Sequence, residues 1–546
     1  MLDLLFKGGR VYTGAGNPWL WANVGVKGDT IAYLGPGEPE AAQTVDASGL
    51  VVAPGFIDLH DHSDLTILAD REATSKVWMG VSTTTFASCG SGAAPLDEEM
   101  REEIRRTSPF LEEARVEVDW SSMEEYLARL ESGGISVNVA PLVGFSNIRR
   151  LVMGMEMRSP TAQELEEMKT LAHRAMEAGC RGISTGLRYD PQSYASTEEV
   201  VEIAKVVASH RGIYSSHIRD EGDRGDPESA FREAITIARE AGIPVNISHI
   251  KVLSKRLHGA FPRLLEMVEE ARREGLQITA DQYPYTASGT GLQAWIPKWA
   301  NEGGPQALLE RLRDPQKYVE IGSGLASSME DRGGPEAALI GSYPADPGLV
   351  GKTVAEVAQE RGEDPLDCAL GLLRSHLEAT LGGRVEGGFS IVNFNQSEEN
   401  VEAAMRKPWV AFGSDGRVHS PRGPLARHIP APHPRFYGTF PRVLGRYVRE
   451  KGVLTLEEAL RKMTSLPAQI LGLADRGILA PGFKADIVAF DPDTVADTAQ
   501  YAPPQATTRK PTGIHHLAVN GVLTMLDGEH TGARGGRVLR STPMQG

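Results

Sequence analysis

The chain has 546 residues, of which 41% are hydrophobic and 24% are charged, so it is not a predominantly disordered protein. A formal net charge of −15 argues against nucleic-acid binding driven by bulk charge. Three cysteines cannot form a disulfide framework, and they favour a reducing, cytoplasmic compartment. The first residues lack the pattern of a signal peptide, and no stretch is apolar enough for a membrane span. We therefore expect neither a nucleic-acid nor a membrane partner.

Three regions follow one another along the chain. Residues 1–53 contain short strand-like segments with glycine-rich turns. Over residues 54–475 short apolar runs alternate with amphipathic, helix-like stretches, and eight such runs predict a closed (β/α)8 barrel of the TIM type. Strand-like segments return over residues 476–546. Because each β-rich end is too small to form a core alone, we expect the two ends to pack together as one small β-sandwich domain beside the barrel.

Residues 287–388 do not fit the barrel pattern. Extra helix-like sequence follows YPYTAS, and the turn-rich segment GSYPADPG interrupts it. We predict an insertion here that covers the mouth of the barrel.

The segment PGFIDLHDH gives the strongest chemical signal, because an apolar run leads into His60 and His62. Alternation along a strand would put both imidazoles on one face, where they could bind one metal ion. The alternative is a pair of surface histidines in a turn. Active sites of such barrels lie at the carboxyl ends of the strands, which favours the metal site.

Other residues with metal-binding chemistry also end apolar runs. They are Cys89 after VSTTTFAS, His217 after GIYSS, His249 after PVNIS and Asp415 after WVAFGS. Imidazole, thiolate and carboxylate are the ligands of zinc, and a catalytic zinc site keeps one position open for water. A buried, inert thiol is the alternative for Cys89.

The sequence resembles the N-acyl-D-amino-acid deacylases (D-aminoacylases) of the amidohydrolase superfamily over nearly its whole length. A cysteine in place of the usual carboxylated lysine, together with SHIRDEGD and ISHIKV, makes the resemblance specific. The other motifs that carry it are PGFIDLHDHSD, GVSTTTFASCG, VNVAPLVG, GISTGLRYDPQSYAS, DQYPYTAS, GSDG and the C-terminal FKADIVAFDPDTVAD.

The resemblance implies a metal centre with two parts. Cys89, His217 and His249 would bind the tightly held zinc. An adjacent, weaker subsite would consist of His60, His62 and Asp415, with Cys89 able to bridge the two positions. Asp415 would also be the general acid and base.

The resemblance further implies that Lys251, Tyr189, Tyr283 and Ser288 hold the carboxylate of the substrate. The position of Lys251, close after His249, agrees with this role, because an ammonium group is a suitable anchor for a carboxylate. Lys251 could instead be a solvated loop charge, and the tyrosines could be packing residues. Arg219 is either a further substrate-binding residue or an ion-pair partner of Asp220 or Glu221.

The chain also departs from the family. GFSNIRR, with Phe145 and Ser146, stands where many members have a histidine. Asn393 and Asn395 stand where the family has bulky apolar residues. These differences leave the preferred side chain and acyl group of the substrate open.

The sequence therefore predicts a zinc-dependent hydrolase that acts on the small-molecule N-acyl-D-amino acids. One alternative is a cyclic-amide hydrolase of the hydantoinase or dihydroorotase kind, but we would expect a lysine at the position of Cys89. A non-catalytic scaffold with the same fold is the other alternative, and six residues able to bind metal argue against it.

Overall fold

Eight parallel strands form a ring in the computed structural model, which describes residues 1–541. Each strand pairs with the next along the chain, and the third is split into two short pieces. The eighth returns to the first, because Asp415 N donates to His60 O over 2.8 Å and Asp61 bridges Gly416. The ring is therefore closed, as predicted. Its strands are Phe56–Asp58, Val81–Thr85, Asn138–Ala140 with Val143–Gly144, Gly182–Gly186, Ile213–His217, Val245–Ile247, Ile278–Gln282 and Val410–Phe412.

Helices connect these strands and cover the outside of the ring. Their starts follow from local sequence: Thr161 and Glu164 cap one helix reciprocally, and Asp226 caps another ahead of Pro227. No helix within residues 1–541 is both long and apolar enough to cross a membrane. The helices outside the insertion are Thr66–Ala69, Thr74–Trp78, Glu98–Thr107, Phe110–Glu113, Met123–Gly133, Phe145–Met153, Ala162–Glu177, Thr197–Ser209, Pro227–Ala241, Phe261–Arg273, Glu398–Met405, Gly423–His428, Arg435–Arg442, the π-helix Val443–Glu450, Leu456–Met463, Ser465–Ile470 and Pro504–Thr507.

Two sheets lie beside the ring: one consists of N-terminal strands, and the other combines strands from both ends of the chain. Val51–Pro54 pairs antiparallel with Ile487–Phe490, which joins the N-terminal and C-terminal segments in one sheet. Apolar side chains from both ends share a buried cluster. The limits of this β unit at residues 53 and 476 stay a prediction. One sheet has the strands Leu2–Lys7, Asn23–Lys27, Thr30–Gly35 and Ala41–Asp46, and the other has Arg10–Val11, Leu20–Trp21, Val51–Pro54, Ile487–Phe490, Ile514–Val519, Val522–Leu526 and Glu529–His530.

The segment after the seventh barrel strand forms a small antiparallel sheet with its own apolar core. The sheet extends to Asn393, beyond the predicted limit at residue 388. Its strands are Ser288–Gly291, Ala338–Ser342 and Ser390–Asn393, and its helices are Lys298–Asn301, Gly304–Arg313, Pro315–Asp331, Val354–Arg361 and Pro365–Leu381. Residues of this insertion line the cleft that opens above the barrel strands.

Candidate functional site

The barrel strands end earlier than the apolar runs suggest, so most of the predicted site residues lie on the loops that follow. The first strand ends at Asp58, and alternation along a strand is therefore not what aligns His60 with His62. Cys89, His249 and Asp415 have positive φ values of 53°, 35° and 48°. This left-handed backbone is unfavourable for residues with a side chain, and it is found preferentially at functional sites.

The thiol of Cys89 lies among three imidazoles at the carboxyl ends of the strands. Its Sγ atom is 3.4 Å from His60 Nε2, 3.4 Å from His217 Nδ1 and 3.3 Å from His249 Nε2. Three overlapping sets of donor atoms lie within 4.8 Å of one another: His60, His62 and Cys89; Cys89, His217 and His249; and His60, His249 and Asp415.

The geometry of this cluster fits a metal ion. Bond lengths of about 2.0–2.3 Å in a tetrahedron separate neighbouring ligand atoms by about 3.3–3.8 Å. The distances from Cys89 Sγ to His217 Nδ1 and His249 Nε2 match this spacing. Nitrogen and sulfur ligands in a tetrahedron are the preference of zinc.

Cys89 has the electrostatic surroundings of a thiolate. Burial alone would raise the pKa of the thiol, but the neighbouring imidazoles of His60, His249 and His217 hold that pKa well below its usual value. Cys180, by contrast, is buried without such neighbours, and its pKa is raised. Burial likewise raises the pKa of Cys368. Among the three cysteines, only Cys89 therefore has surroundings that favour a thiolate able to bind a cation.

Asp415 faces the same cluster from the loop that follows the eighth strand. Its Oδ1 atom is 3.0 Å from His62 Nε2 and 3.6 Å from His60 Nε2, and Arg435 Nη1 is 2.8 Å from its Oδ2 atom. Burial would raise the pKa of this carboxyl, but Arg435 and His62 hold it well below its usual range. Asp415 is therefore an ionised carboxylate beside the candidate metal site.

Glu221 orients two of the imidazoles, and sequence reasoning did not give it this role. Its Oε2 atom is 3.4 Å from His217 Nε2, and its Oε1 atom is 3.1 Å from His249 Nδ1. Each imidazole therefore presents one nitrogen to Cys89 and the other to Glu221. Carboxylates behind metal-binding histidines fix the tautomer and the ring orientation. The available signal was the carboxylate that closely follows His217 in SHIRDEGD.

The sequence also did not predict a role at the site for three further residues, Asp281, Gln192 and Arg435. Asp281 Oδ1 is 3.3 Å from His60 Nδ1 and accepts a hydrogen bond from His249 N over 2.8 Å. Gln192 holds the loop of Cys89, because its Nε2 atom donates to Cys89 O over 2.9 Å. The motif DQYPY could have indicated Asp281, because this residue lies at the end of an apolar run. No local sequence pattern indicates Arg435.

The remaining predicted binding residues line a cleft of about 510 Å³ beside the cluster. Lys251 Nζ is 2.5 Å from Glu221 Oε1, so its charge is already paired. Burial raises the pKa of Tyr189 and of Tyr283, which keeps both hydroxyl groups protonated and able to donate hydrogen bonds. Ser288 also lines the cleft, and its hydroxyl group donates to Asn395 Oδ1 over 3.1 Å.

Arg219 does not belong to this group. Its guanidinium group pairs with both carboxylate oxygens of Glu233, at 2.8 and 2.9 Å, and donates to the carbonyl oxygens of Ser193 and Ala195. It is not among the residues that line the cleft, and its partner is neither Asp220 nor Glu221. The prediction that Arg219 binds substrate is therefore wrong, because these acceptors fix the side chain away from the cleft.

The family departures fall in different places. Phe145 begins the helix Phe145–Met153 and is buried in the main apolar core, outside the cleft lining. Asn393 donates from its Nδ2 atom to Arg332 O over 3.3 Å and to Ala337 O over 3.0 Å. Asn393 therefore contacts Arg332, and Asn395 accepts a hydrogen bond from Ser288. Both asparagines hold residues that line the cleft without lining it themselves.

Comparison with known proteins identifies the family. The sequence profile described as "Amidohydrolase family" matches residues 43–531. D-aminoacylase from Alcaligenes xylosoxydans xylosoxydans is 36% identical over 542 residues, 99% of this chain and 98% of that protein. A solved structure of D-aminoacylase with a binuclear metal centre has a TM-score of 0.80 and 34% identity, and covers 99% and 100% of the two chains. A solved N-acyl-D-glutamate deacylase from Bordetella bronchiseptica, complexed with zinc and a phosphonate inhibitor, has a TM-score of 0.80 and 32% identity at the same coverage. The chain belongs to the amidohydrolase family and, within it, to the N-acyl-D-amino-acid deacylases (D-aminoacylases).

Proposed function

We propose that this protein uses zinc to hydrolyse the amide bond of N-acyl-D-amino acids, releasing a carboxylate and a free D-amino acid. The observation that carries the proposal is the Cys89 thiol between His217 Nδ1 and His249 Nε2. Cyclic-amide hydrolases are expected to have a lysine where this thiol stands. The similarity to a D-aminoacylase and to an N-acyl-D-glutamate deacylase over nearly the full length supports action on a linear amide.

Cys89, His217 and His249 would hold the tightly bound zinc ion. Bound zinc supplies a Lewis acid for the amide carbonyl and lowers the pKa of water. One-metal activation and second-metal attenuation are described for the related D-aminoacylase, which supports a single activating metal. A weaker second metal position would lie among His60, His62 and Asp415.

Asp415 would carry the proton. Its carboxylate is ionised, because Arg435 and His62 hold its pKa well below the usual range although burial opposes this. Asp415 would accept the proton of the attacking water and then deliver it to the nitrogen of the leaving amine. This second transfer is required because an amide anion is a very poor leaving group.

The carboxylate of the substrate would bind at the cleft wall formed by Lys251, Tyr189, Tyr283 and Ser288. The protonated hydroxyl groups of the tyrosines are hydrogen-bond donors there. Fixing the carboxylate and the amide carbonyl leaves two positions at Cα for the side chain and the hydrogen atom. The side chain of one enantiomer then enters the cleft, whereas that of the other meets its wall.

The proposed function is tested with a panel of N-acetyl-D- and N-acetyl-L-amino acids. The zinc-loaded protein should release free D-amino acids with a kcat/KM at least about 100-fold above that for the L-enantiomers, because the wrong hand loses either the carboxylate anchor or the reacting geometry. Equal kcat/KM values for the D- and L-enantiomers would contradict the D-specificity. Ring opening of hydantoins without cleavage of any N-acetylamino acid would favour the cyclic-amide alternative.

Lys251→Ala should lower kcat/KM by about 10–10³-fold, mainly through a higher KM, because a charged hydrogen bond to the carboxylate is lost. Steady-state kinetics on the best D-substrate measures the effect. Since Lys251 also contacts Glu221, zinc content must be measured on the same sample. Lys255→Ala is the matched control, because Lys255 is a nearby lysine that begins the next 3-10 helix and is exposed. An unchanged KM in Lys251→Ala with full zinc would exclude Lys251 as an anchor.

A further inference from the structure

The cleft is positively charged although the protein as a whole is acidic. Five of its lining residues are arginine or lysine, and two are aspartate or glutamate. The whole chain has a formal net charge of −15. A cleft lined by charges of one sign attracts a ligand of the opposite sign. The charged lining residues are Arg188, Lys251, Arg332, Arg417, Arg435, Glu221 and Asp415.

Most of these cations already have an anionic partner or face solvent. Lys251 pairs with Glu221 at 2.5 Å, and Arg435 pairs with Asp415 at 2.8 Å. Arg417 is exposed to solvent.

Arg188 and Arg332 differ from the other cations because they share a single carboxylate. Arg188 Nη2 is 2.7 Å and Arg332 Nη2 is 2.6 Å from the same atom, Asp223 Oδ2. All three side chains are buried. Two guanidinium groups against one carboxylate leave one positive charge uncompensated, and such a charge is unfavourable in a desolvated place.

The guanidinium group of Arg332 is held in place but is not saturated with acceptors. Its centre lies 5.0 Å from the ring centroid of Trp295, and Asn393 binds its main-chain carbonyl. Within residues 1–541, the buried Arg332 Nε atom has no hydrogen-bond partner. A planar group with unused donors and fixed orientation is suited to a carboxylate.

This pair lies close to the site of the reaction. Arg188 directly precedes Tyr189, whose ring centroid is 4.9 Å from that of His217. Arg332 comes from the insertion, at the end of the helix Pro315–Asp331. The two arginines therefore lie on a wall that is shared by the barrel and the insertion.

We propose that Arg188 and Arg332 bind a second carboxylate of the substrate, so that the enzyme prefers N-acyl-D-amino acids that carry two carboxylates. This inference rests on the proposed function and specifies its substrate class. The second carboxylate neutralises the uncompensated charge and accepts hydrogen bonds from the unused guanidinium donors. It can belong to the side chain, as in N-acetyl-D-glutamate, or to the acyl group, as in an N-succinyl-D-amino acid.

Two matched pairs of substrates distinguish these sources. The first pair is N-acetyl-D-glutamate with N-acetyl-D-glutamine, and the second is N-succinyl-D-leucine with N-butanoyl-D-leucine. We expect kcat/KM of the zinc-loaded enzyme to favour the dicarboxylate in one pair by about 10–100-fold. Preferences below about 3-fold in both pairs, with measurable cleavage of the neutral D-substrates, would overturn the inference and leave the proposed function intact. Failure to cleave any D-substrate would overturn both.

Arg188→Gln tests the residues themselves. The change leaves Arg332 and Asp223 as a neutral pair, so the preference for the dicarboxylate should fall about 10-fold or more while kcat/KM for the neutral substrate changes less than about 3-fold. Arg256→Gln is the matched control, because it also removes one cation, from a side chain that is 75% exposed and paired with Asp331. An unchanged preference in Arg188→Gln would overturn the assignment. The wild-type substrate pairs keep the inference testable if the variant does not fold.

Discussion

Cys89→Ala should lose the tightly bound zinc and the hydrolysis of N-acyl-D-amino acids together. The thiolate is the only anionic donor of the set with His217 and His249, and its Sγ atom lies 3.3–3.4 Å from their facing nitrogens. Two neutral imidazoles alone do not complete a catalytic zinc site, which has three protein ligands. Zinc by mass spectrometry should fall well below one equivalent, and kcat/KM should fall at least about 10³-fold, since the Lewis acid contributes several kcal/mol.

Cys180→Ala is the matched control for Cys89→Ala. Cys180 is also buried, but no imidazole lowers the pKa of its thiol, and burial raises that pKa instead. The control should keep its zinc and its rate, apart from a modest loss of stability from the small cavity. A Cys89→Ala protein that retains one equivalent of zinc would show that other residues hold the metal. Loss of zinc with unchanged hydrolysis would show that the metal is not needed.

The candidate site could be predicted to a large extent because its residues follow the strands of a parallel barrel. The carboxyl ends of all eight strands meet at one face, so His217, which ends the fifth strand, and His249, which follows the sixth, converge. The chemistry of each side chain is local information that the sequence contains. The same reasoning placed the barrel and the paired chain ends, because strand and helix periodicities are local as well.

Contacts between loops could not be predicted in the same way. Arg435 reaches Asp415 across a loop and a short helix, and no local pattern sets this distance. Arg219 was misassigned because nearness in sequence to His217 suggested the cleft, whereas Glu233 on the following helix pairs with it. The strand ends were placed too late, because the chain turns away through a left-handed residue that is not a glycine. Ala87, for example, has a φ of 57° shortly after the second strand ends at Thr85.

Asp415→Asn should keep the tightly bound zinc but lower kcat by at least about 10²-fold, the lower part of the range for general acid–base catalysis. Asparagine preserves the shape and can still contact His62 and Arg435, but it cannot accept a proton from water or return one to the leaving amine. Zinc should remain because Cys89, His217 and His249 are unchanged. Steady-state kinetics and zinc analysis on the same sample measure both quantities.

Asp281→Asn distinguishes proton transfer from a general effect of removing negative charge. Asp281 contacts His60 Nδ1 and His249 N but does not line the cleft, so it can orient imidazoles without reaching the substrate. Asp281→Asn should lower kcat/KM by about 10–100-fold, as is typical for residues that hydrogen-bond to metal ligands. Part of this loss should come from weaker metal binding. Added zinc should therefore restore part of the rate in Asp281→Asn and none in Asp415→Asn. A near-wild-type rate in Asp415→Asn would remove Asp415 from the mechanism, and recovery with zinc would make it a metal ligand only.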